Sequence, residues 1–394
     1  MTSNRRGLLA IPGLALVVTV LAGCAKNAPQ DTWQPAGPDA RKIDDLQRFP
    51  FYAAGVVGVL VLAAVIFVVW KYRDRGQAIP HQGHGNPLVE VGTIAFSAIL
   101  LAAVAVPTVG VIFDLAETDD CKMTINVTGQ QWWWEYSYPQ QAGIESPIVT
   151  SGQMVIPTGQ CVLLRITSRD VIHSFWIPKL NGKKDAVPGR IHLMRMEADT
   201  PGIYAGQCTE FCGLSHANMK MDAIALQPAD FAAWVAAQTT AAVAVSDQET
   251  AAGRGETLFK GQCVLCHQVN GLADPDGKPL IAQADVNLVS GAAPNLTHLM
   301  SRTTFAGSTY SLLTEACRTK LMEASPDEFG AMFLGGVESG CLNVVELKEW
   351  LRNAPDKKPM FPEISKDGKR RGMPALGLTE NQINDLVEYL KTLK

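Results

Sequence analysis

The stretch "QCTEFCGLSHANM", residues 207–219, concentrates metal-binding side chains in one short loop. It holds two thiols, an imidazole, a thioether and a carboxylate: Cys208, Cys212, His216, Met219 and Glu210. Tetrahedral zinc bound by the two thiolates and the imidazole is the simplest interpretation. The thioether argues against zinc, because it is a soft ligand that suits copper. A single blue copper needs one cysteine, whereas two thiolates can bridge two coppers, and each copper then needs a terminal imidazole.

The sequence around this loop is typical of β-structure. Residues 121–227 contain β-branched and aromatic runs such as "KMTINVTGQQWWWEYSY" and "CVLLRITS", separated by "PTG", "NGKK" and "PGR". Short runs of this kind, bounded by Gly, Pro and Asn, predict a sandwich or a barrel. A copper loop within such a module favours a cupredoxin-like β-sandwich, which we assign to residues 116–229.

A second terminal imidazole has few possible sources, because the chain contains only 7 histidines. Four of them lie between the apolar runs or in the C-terminal module: His81, His84, His267 and His298. Within the β module, His173 and His192 remain besides the histidine of the loop. The residues alone leave both as alternatives.

The motif C-x-x-C-H in "GQCVLCHQV" predicts covalently bound haem. Cys263 and Cys266 can add to the haem vinyl groups, and His267 can bind the iron. The alternative, a thioredoxin-type redox pair, would require a βαβ pattern that is not seen. The motif lies near the start of a mostly helical module, residues 253–394, whose last helix is predicted to follow a Thr379 cap.

The sixth haem ligand is predicted to be a methionine. Met373, in "RRGMPALGLTE", precedes the last helix, and Met360, in "KKPMFPE", is its competitor. A thioether opposite an imidazole raises the reduction potential, which suits electron transfer.

Three apolar runs occupy the N-terminal part of the chain. The first, "RRGLLAIPGLALVVTVLAGC", is typical of a secretory signal peptide, residues 1–23. Its "LAGC" is similar to a lipoprotein processing site, which would leave lipid on Cys24; an ordinary signal peptide or a membrane helix is the alternative. Residues 24–48, polar and proline-rich, are expected to be a tether. The other two runs predict a transmembrane hairpin over residues 49–115, since about 20 apolar residues cross a bilayer core.

Basic residues at 71–75 predict that the loop of this hairpin is cytoplasmic, which places the later modules in an oxidising compartment. Four cysteines are then left for disulfides, Cys121, Cys161, Cys317 and Cys341. Pairing within domains predicts Cys121–Cys161 and Cys317–Cys341, and four free thiols are the alternative. The net charge of -4 gives no indication of nucleic-acid binding. An alanine-rich linker with some helical character, residues 230–252, is expected to tether the haem module flexibly beside the β module.

With its copper loop and "SRDVIHSFWIPKLNGKKDAVPGR", the chain resembles subunit II of haem-copper cytochrome c oxidases. "CTEFCGLSHANM" matches the dinuclear copper (CuA) loop of that family at every ligand position. The C-terminal module resembles class I cytochrome c, so the whole chain is similar to caa3-type subunits with a fused cytochrome c. The resemblance implies a multi-domain membrane protein: a two-helix transmembrane hairpin, a cupredoxin-like β-sandwich and an α-helical cytochrome c domain.

The resemblance also implies roles for individual residues. The copper ligands would be His173, Cys208, Glu210 through its carbonyl, Cys212, His216 and Met219. The Glu210 side chain would reach a magnesium ion at the subunit interface. Asp170 matches an acidic residue near the copper, whereas His192 has no implied role. In the cytochrome c domain, the carbonyl of Pro294 would orient the ring of His267.

Trp132, in "GQQWWWEYSY", aligns with the tryptophan through which electrons enter the family's copper centre. For Trp133 and Trp134, a strand half in the core and half at the surface is an equally good interpretation. Glu90 matches a glutamate at the mouth of a proton channel; an interfacial carboxylate without a role is the alternative. His298 is expected to be a loop histidine near the haem edge.

The resemblance implies an electron-transfer subunit rather than the site of O2 reduction. Subunit I would reduce O2 to water with proton pumping, subunit III would be a further partner, and a periplasmic cytochrome c or another donor would supply electrons at the bacterial inner (cytoplasmic) membrane. The alternatives are an electron-transfer protein of a nitrous-oxide-reductase-like system and a copper-binding module. Few histidines argue against the first, and the haem motif argues against the second.

Overall fold

The structure, a computed structural model, describes residues 28–76, 81, 83–272, 293–364 and 370–394. The predicted signal peptide and Cys24 lie outside this part of the chain. Two long helices come first, α1 (Pro38–Lys71) and α2 (Pro87–Ala116). Their apolar stretches have mean hydropathies of 2.8 and 2.4 and are not buried by the rest of the chain. Helices with this length and exposed apolar surface are suited to cross a membrane.

The predicted tether is wrong for residues 38–48, because α1 already begins at Pro38. The polar residues of this stretch pair with the β module instead of lying in a loop. Asp39 is buried, and it accepts hydrogen bonds from Arg195 at 2.8 Å and from Asn181 at 3.1 Å. These contacts fix the start of the first membrane helix to the β module.

The β module contains ten strands in the predicted region. They are β1 (Met123–Gln130), β2 (Trp133–Tyr138), β3 (Ile148–Ser151), β4 (Gln153–Pro157), β5 (Val162–Ser168), β6 (His173–Trp176), β7 (Lys183–Ala186), β8 (His192–Met196), β9 (Gly202–Gln207) and β10 (Lys220–Leu226). One sheet has the order β3-β2-β1-β5-β8 and another the order β4-β10-β9, while β6 and β7 pair with each other. The core includes Trp134, Tyr136, Ile125 and Leu164, all fully buried.

The predicted flexible linker, residues 230–252, is partly helical and packed. Its first part belongs to α3 (Pro228–Gln238), in which Trp234 is buried against Tyr138 with ring centroids 5.2 Å apart. Further along, the Ala242 amide donates to the carbonyl of Asn270 at 2.9 Å. The helical first part of the linker is therefore anchored to the β module by an aromatic contact.

The C-terminal module is helical, as predicted, with two additional short hairpins. Its described helices are α4 (Ala251–Gln262), α5 (Glu315–Met322), α6 (Pro326–Leu334), α7 (Val344–Arg352), α8 (Ala354–Lys357) and α9 (Glu380–Leu390). The hairpins are β11 (Thr304–Phe305) with β12 (Tyr310–Ser311), and β13 (Phe361–Ile364) with β14 (Arg370–Arg371). The hydroxyl of Thr379 caps α9 by accepting from the Gln382 amide. Helix α9 packs against α4, where Tyr389 contacts Phe259 with ring centroids 5.2 Å apart.

The four remaining cysteines form two disulfides in the structure, and each lies within one module. Cys121–Cys161 joins the residues that precede β1 and β5. Cys317–Cys341 joins α5 to the loop before α7. These are the pairs that the sequence analysis expected for an oxidising compartment.

The helical module is docked on the β module through the segment around β11 and β12. The Thr303 amide donates to Gln153 Oε1 at 2.8 Å, and the Lys220 amide donates to the carbonyl of Gly307 at 3.2 Å. Gly307 has a positive φ of 70°, and a Cβ there would lie 2.9 Å from the carbonyl oxygen of Trp132. This close backbone approach brings the copper loop and the haem motif to the same interface.

Candidate metal and haem sites

The copper loop is the connection between the antiparallel strands β9 and β10. Its ends are held together because the Cys208 amide donates to the carbonyl of Met219 at 2.9 Å. The Thr209 amide donates to the carbonyl of Ser174 at 3.0 Å, which fixes the loop to β6. His173 begins β6, so this contact brings the upstream histidine to the two cysteines.

The two cysteines and two histidines converge as the copper hypothesis requires. The Sγ atoms of Cys208 and Cys212 lie 3.8 Å apart as free thiols. His173 Nδ1 is 3.9 Å from the first sulfur, and His216 Nδ1 is 3.5 Å from the second. His192 lies apart from this group, since its Nδ1 donates to the carbonyl of Asp185 at 2.7 Å. The structure therefore places His173 at the site rather than His192.

Two weaker donors complete the arrangement. The Sδ atom of Met219 lies 3.8 Å from Cys212 Sγ, and the carbonyl oxygen of Glu210 lies 3.4 Å from Cys208 Sγ. Glu210 is exposed, whereas the two sulfur-bearing residues are buried. Two thiols, two imidazoles, a thioether and a carbonyl form a soft donor set that suits copper better than zinc.

Asp170 orients the buried imidazole of His173. Its Oδ1 lies 2.9 Å from His173 Nε2, which leaves Nδ1 directed at the sulfur, an arrangement typical of metal-binding histidines. Its Oδ2 accepts from the Gln131 amide at 2.8 Å. Gly129 makes room for the ring, since a Cβ there would lie 2.9 Å from it.

The two buried thiols shift each other's pKa. The hydrogen bond between them lowers the pKa of Cys208, and the same hydrogen bond together with burial raises the pKa of Cys212. A metal ion binds deprotonated thiols, so a bound cation would be the positive partner of both sulfurs. The electrostatics of the site thus fit a bound cation.

The three tryptophans of β2 and the preceding turn are all buried. Trp132 donates from Nε1 to the carbonyl of Cys212 at 3.0 Å, so it contacts the copper loop directly. Trp134 packs edge-on against His173 with centroids 5.8 Å apart. Trp133, with Trp132, lines a cavity shared with the helical module. The interpretation of a half-exposed strand is therefore wrong, because the helical module covers the outer face of β2.

This shared cavity, of about 400 Å³, contains the haem motif. Its walls include the predicted haem residues Cys263, Cys266, His267, Met360 and Met373. His267 donates from Nδ1 to the carbonyl of Pro294 at 2.8 Å, which leaves Nε2 for the iron. Burial lowers the pKa of His267 and favours the neutral imidazole that binds metals.

Arg302 gives an independent indication that the cavity holds an anionic group. It is buried in the cavity wall, and burial lowers its pKa to about 10. Its guanidinium donates to Ser151 Oγ and to the carbonyl of Asn295, but its Nε has no hydrogen-bond partner within the described part of the chain. Since haem carries two propionate groups, it could supply the carboxylate that this buried cation lacks.

The structure also places the two candidate methionine ligands, His298 and Glu90. Both Met373 and Met360 line the cavity, and Gly372 packs directly against the Met360 side chain. His298 is a loop residue, as predicted, and it is buried in the turn before Leu299–Ser301. Its Nδ1 and Nε2 face the carbonyl oxygens of Lys394 and Gln238 at 2.7 and 3.1 Å. Glu90 is exposed in the first turn of α2.

Three residues at the interface were missed by the sequence analysis. Arg302, Lys358 and Phe361 each contact the β module across the domain boundary. Lys358 and Phe361 flank Met360 in "KKPMFPE", a stretch that has no periodic pattern. A single sequence gives no signal for such contacts, because they depend on how two domains dock.

The comparisons with known proteins agree with this geometry. A family model described as "Cytochrome C oxidase subunit II, periplasmic domain" matches residues 123–226, and one described as "Cytochrome c" matches residues 252–317. A cytochrome c oxidase subunit 2 of Alkalihalophilus pseudofirmus is 34% identical over 292 residues, which cover 72% of this chain and 83% of that protein. The chain belongs to the cytochrome c oxidase subunit II family.

Two further members of the family match nearly end to end. The subunit 2 of Bacillus sp. (strain PS3) is 30% identical, and the matched residues cover 96% of this chain and 95% of that protein. The subunit 2 of Bacillus subtilis (strain 168) is 28% identical, and the matched residues cover 97% of this chain and 96% of that protein. The cytochrome c part is thus included in the similarity. This subunit II is part of an oxidoreductase complex, and its two apolar helices make it a membrane protein with a β domain and a cytochrome c domain outside the bilayer.

Proposed function

We propose that this subunit II carries electrons from an external donor, through its own haem c and a dinuclear copper centre, to subunit I, which reduces O2 to water with proton pumping. The single observation that best supports this is the shared interface: Trp132 contacts the copper loop on one side and lines the haem cavity on the other. Haem c and the copper pair would supply one-electron redox chemistry when bound.

The protein's own residues would hold these groups and exclude water. The proposed copper ligands are His173, Cys208, Glu210 through its carbonyl, Cys212, His216 and Met219. Asp170 fixes the tautomer of His173, just as Pro294 fixes that of His267. Burial of the thiols limits the reorganisation of solvent around the site, which favours fast electron transfer.

Cys263 and Cys266 would attach the haem, and His267 and Met373 would hold its iron. We prefer Met373 to Met360, because Met373 precedes Pro374, also in the cavity wall, in the loop that leads to α9.

Replacing Met373 with alanine should change the axial ligation of the haem and lower its midpoint potential, because the thioether favours the reduced iron. Replacing Met360 with alanine should leave the ligation intact. Optical spectroscopy and redox titration of both variants test this assignment. A ligation change in the Met360 variant alone would exchange the two roles.

Several finer assignments belong to the same proposal. The exposed Glu210 side chain would reach a magnesium ion at the boundary with subunit I, and Glu90 would stand at the start of a proton channel. Cys24 would carry lipid, with the modules on the outer side of the bacterial inner membrane. Subunit III and a periplasmic cytochrome c are the further proposed partners.

The composition of the purified oxidase tests the proposal as a whole. Metal analysis and the haem c spectrum should give two coppers and one haem c per subunit II, in addition to the metals of subunit I. Zinc in the β domain, or a single copper with an intense blue band, would refute the dinuclear centre.

A further inference from the structure

Lys358 is a buried lysine at the boundary between the two domains. Only 3% of its side chain is exposed, and it follows the short helix α8. Its Nζ donates to the carbonyl oxygen of Trp132 in the copper domain and to that of Ala306 in the cytochrome c domain, both at 2.8 Å. A buried amine is costly unless its hydrogen bonds are satisfied, so these contacts are a specific feature of the docked state.

The residues next to Lys358 also contact the copper domain. The hydroxyl of Ser215, adjacent to the copper ligand His216, donates to the carbonyl of Pro359. The ring of Phe361 packs against that of Trp132, with centroids 5.7 Å apart. The segment 358–361 therefore contacts both the copper loop and Trp132.

We propose that Lys358 is a positioning residue that locks the cytochrome c domain onto the Trp132 peptide, so that internal electron transfer needs no movement of the domains. The contacts of Lys358 with the carbonyl oxygens of Trp132 and Ala306 support this domain docking directly. Only its consequence for electron transfer rests on the proposed function.

The lock does not depend on the protonation state of Lys358. Burial lowers the pKa of this lysine to about 7. An amine carries two N–H groups and an ammonium three, so either form can donate to both carbonyl oxygens. Arg302, whose guanidinium bonds to Ser151 Oγ at 2.9 Å, makes a second contact across the same interface.

Amide hydrogen exchange in the complete oxidase can detect loss of the lock in a Lys358→Met variant. Two amides donate across the interface and report on docking: those of Lys220 and Thr303. The amides of Val155, bonded to Tyr138 within the copper domain, and of Leu312, bonded to Thr303 within the cytochrome c domain, report on internal stability. Lys320→Met, on the exposed surface of α5, is the matched control.

In Lys358→Met, exchange at Lys220 and Thr303 should be about tenfold faster, the size expected for losing a strong hydrogen bond. Exchange at Val155 and Leu312 should not change, and the control should match the wild type at all four amides. Unchanged exchange at Lys220 and Thr303 would overturn the proposal. So would acceleration at Leu312 alone, which would mean that Lys358 only stabilises the cytochrome c domain.

A second measurement on the wild type does not depend on folding of the variant. Acetylation of the native oxidase, quantified at each lysine, should modify Lys358 at least about tenfold more slowly than Lys320 if the domains stay docked. Equal rates would show that the interface opens readily and would overturn the lock.

The electron-transfer consequence has its own test. After photoreduction of the haem in the wild type, the rate of electron arrival at copper should be independent of solvent viscosity, and in Lys358→Met it should become slower and viscosity-dependent. Viscosity dependence already in the wild type would refute the locked state. Absence of copper or haem would instead refute the proposed function and leave the exchange result standing.

Discussion

Replacing Cys212 with serine is expected to abolish the dinuclear copper centre. The Cys212 sulfur lies 3.8 Å from Cys208 Sγ, 3.5 Å from His216 Nδ1 and 3.8 Å from Met219 Sδ, so it is the donor shared by most of the other ligands. A hydroxyl is a hard donor, and it is a poor substitute for the soft thiolate that copper prefers. Copper per subunit should fall from two to one or none, and the electron paramagnetic resonance signal of two coupled copper nuclei should disappear.

The matched control removes two other cysteines in the same chain. A Cys317→Ser, Cys341→Ser double variant loses the disulfide of the cytochrome c domain and leaves the copper loop untouched. It should retain both coppers, even if the cytochrome c domain becomes less stable. A Cys212→Ser variant that keeps two coppers and the wild-type signal would contradict the assignment.

Replacing Trp132 with leucine is expected to slow internal electron transfer by on the order of tenfold to a hundredfold, the range typical of losing precise positioning. We expect this effect because Trp132 contacts both sites. Its Nε1 donates to the carbonyl of Cys212, and its side chain lines the haem cavity. Leucine cannot make the hydrogen bond, and it leaves a gap between the two sites. Photoreduction of the haem, followed at the copper absorption band, measures the rate.

Trp350→Leu is the matched control for this change. Trp350 lines the same cavity from α7 and packs against Phe305 and Tyr310, within the cytochrome c domain. Its replacement should leave the internal rate close to that of the wild type, with both cofactors present in both variants. Equal slowing in the two variants would mean that Trp132 acts only by filling the cavity.

The separate sites could be predicted from sequence because their chemistry is local. The proposed ligands Cys208, Cys212, His216 and Met219 lie in one loop, and C-x-x-C-H is a contiguous motif. Even the distant His173 could be found, once the β module was delimited and the family resemblance recognised. The helix after Thr379 was predictable for the same reason, since its cap and its apolar stripe are neighbours along the chain.

What sequence could not predict is how the modules meet. The polar residue Asp39 suggested a tether, although it pairs with Arg195 of the β module. The alanine-rich stretch gave no indication that Trp234 packs against Tyr138 of the β module. Composition describes residues without their partners, so contacts such as that of Lys358 with Trp132 require the folded structure.

We propose that electrons enter at the haem and reach the copper pair across the Trp132 interface. Rapid mixing of the oxidised oxidase with its reduced donor, with the haem and copper absorption bands followed separately, tests this claim most directly. We expect the haem band to change first and the copper band to follow it, with the delay lengthened in Trp132→Leu. Reduction of copper before haem, at a rate unaffected by Trp132→Leu, would contradict the account and make the cytochrome c domain a side branch.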